Sequence, residues 1–342
     1  MTVSRSLFAT LQDESTVEQF TLTSETLQVS IITFGASITN FILRDKNLDV
    51  CPAYATFEGY LENPFKMGAT VGRVINRLKG GRFTIDGKTF ELDKNYKGIH
   101  CIHGGSKDFV HYNWKVDEEK LSENSVTLTH LSEDGDMGFP GNLKVSATFT
   151  LEKDELSVQY GGSTDAPTPV NLTCHCYFNL AGHSAGKEAL LKHKVQLNAD
   201  HYLLLDEEYL PIQKESVDNT IFDLRKELIL GTILDKINDG VGFDNYYCMS
   251  EDKINSWHAR ASYGDICLEL KSNQPGFQFY NNYYIDTDGG KDGCEYRKHC
   301  SFAFEAHGYP DAVNHPEFPS IILRPGEQYS NQIKFKLYSK NE

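Results

Sequence analysis

Leu143-Lys-Val-Ser-Ala-Thr-Phe-Thr-Leu-Glu-Lys-Asp-Glu-Leu-Ser-Val-Gln-Tyr160 reads as two strands and the turn between them. Leu143, Val145, Ala147, Phe149 and Leu151 alternate with polar neighbours. Glu152-Lys-Asp-Glu155 interrupts, and Leu156, Val158 and Tyr160 resume the period of two. A strand with one buried face requires this alternation, and the charged interruption marks a hairpin. The same period recurs at Leu27, Val29 and Ile31, at Ile266, Leu268 and Leu270, and at Ile333, Phe335 and Leu337. Arg324-Pro-Gly-Glu327 puts Pro then Gly at the centre of a type II turn, and is expected to separate the last pair of strands. Helical signals are short: Thr56 to Glu62 for two turns, and Phe222 to Ile237 for one more piece. There is no heptad pattern, internal repeat or Pro/Gly/Ser linker. The pattern predicts an all-β chain, one large antiparallel unit of two packed sheets spanning 1–342 as a single domain.

Composition narrows the function. Of the 342 residues, 33 are Lys or Arg and 48 are Asp or Glu, a net charge of −15. That balance argues against nucleic acid, which needs a basic footprint, and against an anionic membrane surface. No apolar run approaches the roughly 20 residues of a spanning helix. The N-terminus Met1-Thr-Val-Ser-Arg lacks the pattern of a signal peptide. The eight cysteines are scattered, and a chain this long has no need of disulfide staples. Free thiols and a cytoplasmic location are therefore expected. Aromatics make up 12% of the chain, which suits strands.

Four stretches carry groups able to do chemistry. In Pro169-Val-Asn-Leu-Thr-Cys-His-Cys-Tyr-Phe-Asn-Leu180, a strand would place Asn171, Thr173, His175, Tyr177 and Asn179 on one face. Such a face either meets solvent or forms a binding floor; Asn, His and Tyr together favour the floor. Asn171-Leu-Thr173 fits a glycosylation sequon, which an embedded strand makes a coincidence. In Ser301-Phe-Ala-Phe-Glu-Ala-His307, Glu305 lies between small residues, opposite Phe302 and Phe304. It is either an edge-strand charge or a partly buried general base. Arg73 and Arg77 flank Asn76 in an apolar segment, and each needs an ion partner or a ligand. His100-Cys-Ile-His-Gly-Gly105 lacks the four-residue helical spacing of a two-His zinc motif. Its Gly pair marks a loop of close backbone approach, with His103 suited to donate to a ligand. Asp244 in Gly242-Phe-Asp-Asn245 fits a turn, and Gln278 and Tyr280 oppose Phe277 and Phe279. No dinucleotide fingerprint, P-loop or nucleophile elbow is present.

Taken in order, several of these pieces resemble the galactose mutarotase (aldose 1-epimerase) family. They are Gly72-Arg-Val-Ile-Asn-Arg77, Ile102-His-Gly-Gly105, Pro169 to Gly182, Gly242-Phe-Asp244, Gln274 to Tyr280 and Tyr309 to Pro319. The resemblance runs from about residue 20 to the C-terminus. It implies a β-supersandwich with a few short helices. It also implies interconversion of the α and β anomers of free hexoses, galactose and glucose especially, with no cofactor and no metal. By that resemblance Glu305 matches the general base and His175 the general acid. His103 matches a second active-site histidine, and Asn76, Arg77, Asp244 and Gln278 match sugar-binding positions, with Tyr177 flanking the acid. Cys174, Cys176 and Ala306-His307-Gly308 depart from the family's usual residues.

The reaction explains the pair. The anomeric hydroxyl must lose a proton while the ring oxygen gains one, so one base and one acid must reach two oxygens on one carbon. A charged carboxylate and a protonated imidazole are expected, with Asp244 a candidate to hold the charge on His175. The rival readings are a non-catalytic sugar-binding β-sandwich, a hexose-phosphate mutarotase with a basic rim or an epimerase acting elsewhere on the ring, and a metal-dependent cupin-like enzyme.

Overall fold

The hairpin at 143–160 is present in the computed structural model, which describes residues 1–340. Leu143–Glu152 and Glu155–Thr164 pair antiparallel, with Leu151 opposite Leu156 and Glu152 opposite Glu155. Lys153 takes φ +51° in the two-residue turn, the left-handed backbone that matches strand twist in tight hairpins. The hairpin lies inside a nine-stranded sheet. Ser125–Ser132 flanks it on one side and Tyr329–Ser339 on the other. Tyr329–Ser339 also pairs with Ile266–Ser272, so this late strand joins both halves of the sheet.

A six-stranded antiparallel sheet packs on this one. Its order is Tyr177–Phe178, Phe302–Ala306, Gly276–Tyr280, Asp244–Cys248, His201–Leu205 and Pro211–Ser216. Phe277, Phe279, Phe302 and Phe304 enter the same core as Phe149, Val158, Ile333 and Phe335. The Phe178 ring lies 5.2 Å from Phe335 and 6.1 Å from Phe302. Because side chains alternate along a strand, this aromatic layer turns Gln278, Tyr280, Ala303 and Glu305 to the opposite side. A five-stranded sheet from Thr2 to Asp49 closes the core with Phe20, Val29, Ile31 and Phe41. The all-β, antiparallel expectation holds, but three large sheets stand where two were expected.

Several local expectations need correction. The turn at Arg324–Glu327 forms, with Gly326 at φ +90° and Glu327 N–H donating to the Arg324 carbonyl (3.0 Å). The strands around it do not pair with each other, because Ile322–Leu323 pairs with Thr168–Pro169 instead. Phe57–Glu62 is helical, but 222–237 holds a two-residue strand and two 3-10 turns. Its leucines go to the core without helical periodicity. Gly186–Leu190 is a five-residue helix too short to leave a periodic signal. The stretch 169–180 is not one continuous strand. It pairs in turn with Ile322–Leu323, Thr70–Val71 and Phe302–Ala306.

Candidate active site

The polar side of the six-stranded sheet is the floor of a cavity of about 430 Å³. Register builds that floor. Glu305 stands opposite Gln278, Ala303 opposite both Tyr177 and Tyr280, and Asp244 opposite Tyr280. Small Ala303 lies between Tyr177 and Tyr280 in register, and their rings meet edge-on with centres 6.2 Å apart. Glu305 lies beside it, buried. The walls come from loops carrying Asn76, Arg77, His103 and His175. Every residue that the family resemblance marks as a site position lines this cavity: Asn76, Arg77, His103, His175, Tyr177, Asp244, Gln278 and Glu305.

The walls are brought close by glycine. Gly104 sits at φ +93°, and a Cβ there would lie 2.3 Å from the Gly72 carbonyl oxygen. Only glycine lets the 102–105 loop lie against the 72–73 backbone. His103 N–H then donates to the Asn76 carbonyl (3.1 Å), and His103 Nδ1 accepts from Asn76 N–H (3.3 Å). The ring proton of neutral His103 is thereby assigned to Nε2. Burial pushes His103 well below the ordinary imidazole value, and the neighbouring His175, Lys66 and Arg77 push the same way.

Four polar side chains close into a ring. Arg77 Nη1 donates to Asn76 Oδ1 (3.3 Å), and Asn76 Nδ2 donates to Gln278 Oε1 (3.4 Å). Gln278 Nε2 donates to Asp244 Oδ1 (2.6 Å), and Arg77 Nη2 lies 3.4 Å from Asp244 Oδ2. The ring fixes which amide and carboxylate edges are presented to a ligand. Asp244 is thus Arg77's partner and not the counter-ion of His175.

His175 Nε2 lies 3.5 Å from Glu305 Oε2. Its ring is edge-on to His103 (5.7 Å) and tilted over Tyr177 (5.0 Å), whose hydroxyl donates to the Phe65 carbonyl (3.1 Å). Burial raises the Glu305 carboxyl well above its ordinary value; Asp244 adds to this and Arg77 opposes it. Burial lowers His175 to about 3, with Lys66 and His307 acting in the same sense. Burial thus opposes the expected charged carboxylate and protonated imidazole. The surroundings favour the neutral pair. That pair holds the same single proton as the charged one, so the two forms differ only in where the proton sits.

Other expectations resolve differently. Of the five residues assigned to one face of 171–179, only His175 and Tyr177 reach the cavity. Asn171 binds both Gly308 N–H (2.7 Å) and its carbonyl (3.0 Å), which buries the sequon. Thr173 donates to the Ala306 carbonyl, and Asn179 to the Cys300 carbonyl. Arg73 is buried away from the site, donating to the carbonyls of Pro140, Gly141, Ser132 and Glu133 and to the hydroxyls of Ser132 and Thr168. His307 is also outside the cavity, with Nδ1 donating to the Gly308 carbonyl (2.6 Å) and its ring against Tyr246. His100 and His103 do not converge, and among the described residues no group of three His, Cys, Asp or Glu does so as a metal site would need. Among the described residues, no helix is long and apolar enough to cross a membrane. The cavity also contains Lys66, Tyr96, Lys97, Tyr209, Tyr280 and Tyr284, most of them loop residues without a periodic pattern to reveal them. Only Tyr280 had a strand-face signal.

The sequence model of the family described as aldose 1-epimerase matches residues 18–336. The chain is 42% identical to a galactose mutarotase of Rattus norvegicus and 40% identical to one of Homo sapiens, with 98% of each chain covered in both cases. Among solved structures, an aldose epimerase homologue from C. elegans superposes with a TM-score of 0.85 at 26% identity, covering 94% of this chain and 98% of that one.

Proposed function

The chain belongs to the aldose 1-epimerase family, its isomerase activity follows from that membership, and we propose that Glu305 and His175 perform the reaction on free hexoses, galactose and glucose foremost. The observation that carries this reading is the 3.5 Å separation of His175 Nε2, on the cavity wall, and Glu305 Oε2, on its floor. Two oxygens bonded to one anomeric carbon need a base and an acid placed side by side. A sugar-binding module needs hydrogen bonds but no such pair.

Glu305 carboxylate takes the proton of the anomeric hydroxyl, and the O1–C1 bond becomes a carbonyl. The C1–O5 bond breaks, and O5 takes the proton of the His175 imidazolium. Rotation about C1–C2 presents the other carbonyl face, and both transfers reverse. Ring opening leaves Glu305 protonated and His175 neutral, the arrangement that burial favours. The charged pair forms when the single proton passes from Glu305 to His175, and ring opening returns both groups to their neutral forms. Arg77, His103, Asn76, Asp244 and Gln278 orient the sugar hydroxyls, with Tyr177 beside the acid.

The cations of the cavity speak against a phosphorylated substrate. Arg77 is committed to Asp244, and Lys66 Nζ lies 2.7 Å from buried Asp108. Lys97 at the rim is a single charge, short of the cluster that a phosphate asks for. We read 1–342 as one catalytic domain, supported by a family match over 18–336. We place it in the cytoplasm, in keeping with eight cysteines that remain thiols. Polarimetry of freshly dissolved α-galactose, α-glucose and glucose 6-phosphate tests the substrate class. Fast exchange on the two free sugars and little on the phosphate is expected; the reverse order overturns it.

A further inference from the structure

The Arg77 guanidinium is enclosed between two aromatic faces. Its central carbon lies 5.1 Å from the Tyr96 ring centre and 5.0 Å from that of Tyr209. A planar, weakly hydrated guanidinium stacks well on aromatic faces, and its edge stays free for hydrogen bonds. Those edge bonds are long here: 3.3 Å to Asn76 and 3.4 Å to Asp244, with Nε unpartnered. Bonds near that limit hold a group loosely. The rings supply the lateral restraint that they do not.

Each ring comes from a loop shaped to present it. Tyr96 opens a tight turn in which its N–H and carbonyl both pair with His100 (3.0 Å each). Tyr209 sits at φ +62°, a conformation costly for a bulky side chain. Asp206 holds it there: its Oδ1 accepts from the N–H groups of Glu208 (2.8 Å) and Leu210 (3.0 Å), and its carbonyl accepts from Tyr209 N–H (3.0 Å). The two loops meet where Glu208 Oε2 lies 3.3 Å from His100 Nε2. His100 Nδ1 in turn accepts from Gly80 N–H (2.9 Å), anchoring the junction to the segment that carries Arg77.

We propose that Tyr96 and Tyr209 form an aromatic clamp that positions the Arg77 guanidinium for the sugar, making both tyrosines positioning residues of the reaction. The clamp rests on the reading above that Arg77 contacts the hexose. It works mainly through the ring faces; the Tyr96 hydroxyl also interacts with Arg77, and the Tyr209 hydroxyl with Tyr284.

The test is a double-mutant cycle on galactose mutarotation. Tyr96→Leu and Tyr209→Leu should each raise KM by about fivefold with kcat within about twofold. Tyr96→Phe and Tyr209→Phe, which keep the ring faces, should each change KM by less than the matching Leu variant. In an Arg77→Lys background the Tyr209→Leu effect should shrink to less than about twofold, because the flat cation it acts through is gone. A wild-type KM in both Leu variants overturns the clamp. So does a Leu effect that is undiminished in the Arg77→Lys background, or a Phe variant as impaired as Leu. The tyrosines lie on separate loops, so either pair of variants poses the question if one Leu variant fails to fold. Absence of mutarotation in the wild-type enzyme would strike the functional reading instead, which separates the two failures.

Discussion

His175 Nε2, on the link after strand Thr173–Cys174, and Glu305 Oε2, on strand Phe302–Ala306, face each other across 3.5 Å. Both groups are buried, and burial moves them in opposite directions, the carboxyl up and the imidazole down to about 3. The pair therefore takes up a second proton only in strong acid. A doubly protonated pair has no base for the anomeric hydroxyl, so activity is lost on that side. The profile of kcat/KM is expected to be flat from pH 7 to about 5, with no limb at the ordinary imidazole value of about 6.5. A half-loss centred near 6.5 would contradict the assignment of buried His175 to the acid.

Stability should depend on pH in the same direction through a larger set of histidines. His130, His193, His258 and His307 are lowered to about 4 by burial, and His175 to about 3. His193 shows the structural side of this, since its Nε2 accepts from Leu180 N–H (2.9 Å) and must stay unprotonated. Between about pH 4 and 6.5 the unfolded chain binds more protons than the folded one, so stability rises with pH across that window. Urea midpoints should be level above about 6.5 and fall steadily below it. A midpoint unchanged from pH 7 to 5 would be inconsistent with these histidines being held neutral.

The two arginines of one motif should separate cleanly. Arg73 satisfies four carbonyls and two hydroxyls and does not line the sugar cavity. Replacing it with Met orphans those acceptors, and a loss of about 3 kcal/mol in unfolding free energy is expected, with KM unchanged in the protein that folds. Arg77→Lys should do the opposite, raising KM with little change in stability. Equal effects of the two substitutions on KM would remove the distinction.

Asp244→Asn tests the polar ring. The substitution leaves the buried Arg77 charge uncompensated and keeps one acceptor oxygen where Asp244 offers two, one to Gln278 and one to Arg77. Both KM and stability should suffer, stability by about 3 kcal/mol. Melting and initial-rate measurements on the same preparation check this, and a variant with wild-type KM would exclude Asp244 from the sugar site.

Much of this was legible in the residues themselves. Alternation over 143–160 specifies a strand pair because a one-residue slip would turn every apolar side chain outward. The opposed faces of 276–280 and 302–306 likewise placed Gln278 and Glu305 on one side and the phenylalanines on the other. The stretch 169–180 misled, because alternation assumes a continuous strand. Its three separate pairings send Asn171, Thr173 and Asn179 to backbone groups that the sequence could not identify. Tyr96 and Tyr209 were invisible for a different reason. They lie in loops with no period, and only the folded chain brings them to Arg77.

The most direct test of the whole account is Glu305→Gln. The amide keeps the shape of the side chain and its neighbour Gln278 but cannot accept the anomeric proton. Mutarotation of freshly dissolved α-galactose should slow by about 10²–10⁴-fold, while galactose binding measured by calorimetry stays within a few-fold of wild type. Near-normal exchange in that variant would show that the proton leaves by another route, and the pairing of Glu305 with His175 would then have no catalytic meaning.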